Sequence, residues 1–126
     1  MMNKNYYTTV SSILFFMVAL LHLFRVFFAW EVTIGDYTLP VARSWVVFGV
    51  TLCLGAWGFL GSKGYTALSA ILFALVAMLH LFRVLIADTI VVIDSVTVPL
   101  SASWTSFVIS AALSVWGFVT YKVKTP

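Results

Sequence analysis

Four stretches of this chain are apolar almost without interruption, and the polar residues collect between them. The apolar runs cover Thr9–Trp30, Val41–Leu60, Tyr65–Ala87 and Leu100–Tyr121. Each is close to the ~20 residues an α-helix needs to cross a ~30 Å hydrocarbon core at ~1.5 Å per residue. The pattern predicts four transmembrane helices.

The two longer connections have a different period. Val32-Thr33-Ile34 and Tyr37-Thr38-Leu39 flank Gly35-Asp36, a Gly-X pair suited to a type II′ hairpin turn. Thr89 to Ile93 leads into a turn near Asp94-Ser95 and returns through Val96-Thr97-Val98, rich in the β-branched residues that strands prefer. Pro40 and Pro99 then open the following helices, where a missing N–H costs nothing. Two hairpins at one membrane face are expected to pair into a four-stranded sheet, because an isolated hairpin is marginal in water.

The same series of residues occurs twice. Val18-Ala19-Leu20-Leu21-His22-Leu23-Phe24-Arg25-Val26 returns 58 positions later as Val76-Ala77-Met78-Leu79-His80-Leu81-Phe82-Arg83-Val84. Pro40, Trp45 and Trp57-Gly58-Phe59 return 59 positions later as Pro99, Trp104 and Trp116-Gly117-Phe118. One residue has been inserted between the two sets, most simply in the second hairpin. The expected fold is therefore an all-α membrane protein, a four-transmembrane-helix bundle from two tandem helix–hairpin–helix repeats with a small extracytoplasmic hairpin cap. Its segments are a tail at 1–8, repeat one at 9–60 with its hairpin at 31–39, and a turn at 61–64. Repeat two follows at 65–121 with its hairpin at 89–98, and a tail at 122–126.

Composition excludes a soluble domain: 63% of residues are hydrophobic and 9% charged, with a mean hydropathy of +1.10. A signal peptide competes for the first run but not for its copy in mid-chain. The single Cys53 sits in an apolar run and is expected to be a small buried hydrophobe. The net charge of +3 is scattered and carries no nucleic-acid signal. Lys4, Lys63, Lys122 and Lys124 lie in the tails and the middle turn, whereas Glu31, Asp36, Asp88 and Asp94 lie in or beside the hairpins. The lysine bias predicts cytoplasmic termini and external hairpins, with Tyr6, Tyr7, Tyr65 and Tyr121 in the inner aromatic belt and Trp30, Trp45 and Trp104 in the outer one.

Lipid supplies no hydrophobic drive between helices, so small residues mark contact faces. Ser103, Ser106, Ser110, Ser114 and Gly117 form such a stripe on the fourth helix, and Thr51, Gly55 and Gly58 its counterpart on the second. They are expected against the first and third helices or another protomer.

One candidate site remains. His22 and Arg25 are three apart and share a helix face, as do His80 and Arg83. An ionisable group at such depth costs ~2.5–3.5 kcal/mol on insertion scales, which makes it functional or paired. The structural reading has the arginines snorkelling or pairing with Glu31, Asp36, Asp88 or Asp94, and the histidines bonding each other or the hydroxyl stripes. A second reading makes His22 and His80 axial ligands of a b-type haem, with the arginines at its propionates. A third has the cluster receive an anionic lipid headgroup, a quinone or a small acid.

In length and span count the chain is similar to the small multidrug-resistance exporters, but no span carries the acidic residue that would couple protons to a cation. Catalytic signatures such as CxxC, HExxH, GxSxG or a phosphate loop are lacking. The expectation is a non-catalytic scaffold or accessory subunit, with no cofactor required. Its partners are the lipid bilayer and either further copies or a larger membrane complex.

Overall fold

The computed structural model describes residues 6–86 and 89–123, so Lys4, Asp88 and Lys124 lie outside the described residues. The elements run α1 (Tyr6–Phe28), β1 (Val32–Ile34), β2 (Tyr37–Leu39), α2 (Ala42–Phe59), α3 (Lys63–Ile86), β3 (Val91–Ile93), β4 (Val96–Thr97) and α4 (Leu100–Val123). All four helices are long and apolar enough to cross a membrane.

Local chemistry explains the ends. Gly61, with φ +71°, stops α2 in the left-handed region, and the N–H of Gly64 bonds to Ser62 Oγ at 3.1 Å. Ser62 is thereby the N-cap of α3, so Lys63 and Gly64 belong to the helix rather than to the turn. At the end of α1, Ala29 adopts φ +53° and the N–H of Trp30 bonds to the carbonyl of Arg25 at 3.3 Å. That is the Schellman closure, made with alanine where glycine is usual. Pro40 and Pro99 stand just before α2 and α4, and their carbonyls accept the N–H groups of Arg43 and Ala102.

The two hairpins join in one antiparallel sheet of order β2-β1-β3-β4. In the central seam Val32 faces Ile93, Thr33 faces Val92 and Ile34 faces Val91. Each hairpin tip is held by the base of the other: Gly35 N–H donates to Ile90 O and Asp94 N–H to Glu31 O, both at 2.8 Å. The first turn has positive φ at Gly35 alone, as a type II′ turn has; the second has it at both Asp94 and Ser95, as a type I′ turn has. Cross-strand partners share a face of the pleat. The register therefore collects Val32 and Ile34 of β1 with Tyr37, Leu39, Val91, Ile93 and Val96 on one side, and Thr33, Thr38, Val92 and Thr97 on the other.

In the helical part α1 runs along α2 and α3 along α4. The two pairs meet where α1 crosses α3: Phe15 stacks on Phe73 with centroids 5.4 Å apart, beside Tyr7, Tyr65, Leu54 and Leu113. Tyr7 and Tyr65 are fully buried here, which corrects their expected place in an aromatic belt. α1 begins at Tyr6 rather than Thr9 because Tyr7 and Thr8 are buried by the neighbouring helices. Cys53 is exposed on α2, not buried as its apolar surroundings suggested.

The small residues fill close approaches. A Cβ on Gly117 would lie 2.7 Å from the Tyr7 ring and 2.8 Å from the Ala70 Cβ; one on Gly55 would lie 2.9 Å from the Phe16 ring. A Cβ on Gly58 would collide with Ser12 Oγ and lie 2.7 Å from Tyr65 Cζ. The glycine Cα–H thus points at Ser12 Oγ, a buried atom with no conventional partner among the described residues. A Cα–H···O contact of this kind is common where helices approach closely.

Candidate functional site

The two His/Arg pairs occupy corresponding places in the two halves. Arg25 closes the base of the first hairpin. Its Nε donates to Trp30 O at 3.0 Å, Nη2 to Leu39 O at 2.7 Å, and Nη1 to Ser44 Oγ at 2.9 Å and to Pro40 O at 3.5 Å. The guanidinium thereby links the end of α1, the return of β2 and the first turn of α2. Arg83 does the same in the second half: Nε to Thr89 O at 3.4 Å, Nη2 to Val98 O at 2.8 Å, Nη1 to Ser103 Oγ at 2.8 Å.

Each histidine shares that serine. His22 Nδ1 lies 3.1 Å from Ser44 Oγ and His80 Nδ1 3.3 Å from Ser103 Oγ. Arginine can only donate, so the serine oxygen accepts from Nη1. In each half Arg and His thus meet through one buried serine hydroxyl. Ser44 is 1% exposed and Arg25 7%.

Several expected contacts resolve differently. Among the described residues both arginines bond to carbonyls and serines rather than to the carboxylates of Glu31, Asp36 or Asp94; Asp88 lies outside the described residues. The hairpin presents its carbonyls at fixed distance from the helix end, whereas the carboxylates stand on the strand flank and the turns. The histidines are each tied to a serine of their own half. Ser103 belongs to the stripe read from the sequence, and Ser44 is its counterpart 59 positions earlier. The stripe meets a facing helix where Ser114 Oγ donates to Ala70 O at 2.9 Å; Ser110 is buried, and Thr51 bonds back to Val47 O of its own helix at 2.6 Å. Ser106 is half-buried.

The extra residue of the second half falls before its hairpin. Arg25 reaches the carbonyl of Trp30, five residues on, and Arg83 that of Thr89, six residues on. From β3 onward corresponding positions lie 59 apart, so the one-residue difference in spacing falls between Arg83 and Thr89.

A second polar cluster lies at the opposite end of α1 and α3. Tyr7 Oη meets Ser69 Oγ at 2.7 Å, and Tyr65 Oη meets Ser11 Oγ at 2.6 Å. Trp116 packs edge-on against Tyr7, and Trp57 against Tyr65, at 5.7 and 5.8 Å. All four hydroxyl-bearing residues are fully buried. The signal was present in the sequence: Tyr7-Thr8 and Ser11 return 58 positions later as Tyr65-Thr66 and Ser69. Comparison with models of known families, with curated proteins and with solved structures finds no match for this chain.

Proposed function

We propose that the chain is a small multi-pass membrane protein without catalytic activity, a scaffold or accessory subunit built by tandem duplication of a helix–hairpin–helix unit. In it the His/Arg clusters act as internal staples. The supporting observation is that each guanidinium is consumed by its own chain. Four of the donor–acceptor contacts of Arg25 go to Trp30, Leu39, Pro40 and Ser44. A receptor for an anion or a haem propionate would hold its fork open toward the ligand. The histidines fit the same reading, since Nδ1 is engaged by a serine.

Orientation follows from the lysine bias, with both termini and the Gly61–Ser62 turn cytoplasmic and the hairpins outside. The apolar outer faces of the helices meet lipid, further copies or a larger partner. Gly49, with nothing within 4 Å of an added Cβ, leaves room there for a close helix.

The deciding experiment is a spectrum and a melt of the detergent-purified protein. A colourless protein whose melting temperature falls in Arg25→Ala and Arg83→Ala, with no ligand added, supports the staple. A Soret band lost in His80→Ala would replace it with the haem reading. Anionic lipid that co-purifies and is lost in Arg83→Ala would replace it with the ligand reading.

A further inference from the structure

The sheet is amphipathic: Val32, Leu39 and Val91 on its apolar side are half-buried, and the rest of that side is exposed. Ile34, Tyr37, Ile93 and Val96 share that side and are 38–66% exposed. No described strand residue is buried, and none belongs to the core cluster. The opposite side carries Thr33, Thr38 and Thr97 around a single half-buried valine, Val92.

The links to the helices are short. Three residues separate Phe28 from Val32, and two separate Leu39 from Ala42. An extended link of that length holds the sheet within roughly 10 Å of the helix ends. The polar zone outside a ~30 Å hydrocarbon core is only about 5–8 Å deep on each side. A sheet so tethered lies in or just above that zone whenever the helices span. Phe27 and Phe28 in the last turn of α1 are strongly exposed as well. The Tyr37 ring carries the Arg43 guanidinium 5.5 Å from its centre, an apolar body with a cationic rim suited to the headgroup level.

We propose that this face of the sheet rests on lipid, seated at the boundary between headgroups and acyl chains, with the threonine face toward water. The proposal rests on the membrane-spanning reading of the four helices. It makes the hairpins an interfacial anchor rather than a lid on the bundle.

Spin labels on single cysteines, in a Cys53→Ser background reconstituted into phosphatidylcholine vesicles, test this directly. Labels at Ile34→Cys and Val96→Cys should collide with oxygen several-fold more often than labels at Thr38→Cys and Thr97→Cys. A water-soluble nickel chelate should show the reverse order. Tyr37→Cys and Ile93→Cys supply a second pair on the same face should the first fail to fold. Nickel access at the apolar-face positions would overturn the proposal, and so would labels there that are immobile and shielded from both probes, the mark of a protein partner. A label at Leu79→Cys, on an exposed part of α3, separates the two levels. Nickel access at that site would bring down the spanning reading and this proposal together. Oxygen access at Leu79→Cys beside nickel access or shielding at Ile34→Cys would bring down this proposal alone.

Discussion

The phenol of Tyr7 meets the hydroxyl of Ser69 at 2.7 Å, and the contact is returned by Tyr65 to Ser11 at 2.6 Å. The two bonds cross the same helix interface in opposite senses, so one fixes the rotation of α1 and the other that of α3. Each serine also bonds a carbonyl of its own helix, Ser11 to Tyr7 O and Ser69 to Thr66 O. Removing one phenol hydroxyl therefore leaves no serine without a partner. Tyr7→Phe and Tyr65→Phe should each cost about 1 kcal/mol, close to equal. Equilibrium unfolding in mixed micelles checks both, and a difference of several-fold would deny the two bonds equivalent roles.

The same tyrosines are seated on glycines of the facing helices. Gly117→Ala places a methyl 2.7 Å from the Tyr7 ring, in a wall formed also by Ala70, and should destabilise by about 1–3 kcal/mol. Gly49→Ala adds the same methyl to open space and should be neutral or stabilising by up to about 1 kcal/mol. The contrast between these two variants in one melting series isolates packing from helix propensity.

Arg25 is a fork, not merely a charge. Arg25→Ala exposes three carbonyl acceptors and Ser44 Oγ, and should destabilise by about 2–3 kcal/mol. Arg25→Lys keeps the charge but cannot reach Trp30, Leu39 and Ser44 together, so it should recover less than half of that loss. Full recovery by lysine would show that the charge alone is needed.

Much of this arrangement was legible beforehand, and the failures have physical causes. Helix positions followed from span length, and the hairpins from Gly35-Asp36 and the β-branched runs. The Arg/His pairs stood out because ionisable groups are costly in lipid. Their partners did not, because charge suggests carboxylates while the structure supplies backbone carbonyls brought near only by the folded hairpin. Tyr7 and Tyr65 were assigned to a belt by their place near a span end, yet each faces a glycine deep enough to admit the ring. Cys53 looked buried because its neighbours are apolar, a poor guide where the outside of the protein is also apolar.

Ala29, Asp94 and Ser95 hold left-handed backbone without being glycine. Ala29→Gly relieves the Schellman position after α1 and should stabilise by about 0.5–1 kcal/mol. Ser95→Gly gives the second turn the Asp-Gly sequence that type I′ turns favour and should act in the same direction. Thermal midpoints of the two variants and their combination check this. A loss in either would mean that the side chain there makes a contact worth more than the relief of its backbone.

The central seam of the sheet has a consequence for the order of assembly. β1 finds its inner partner in β3, which follows it in the chain by nearly half of the whole length. While the ribosome is still making α3, the first hairpin must wait with one edge open, its Gly35 N–H and Glu31 carbonyl lacking the strand that will meet them. Closure becomes available only after the second hairpin has been made, so the seam forms late in synthesis. Until then the open edge matches the β3 of any neighbouring nascent copy as well as its own. Crowded translation of this chain should therefore favour exchange of halves between molecules.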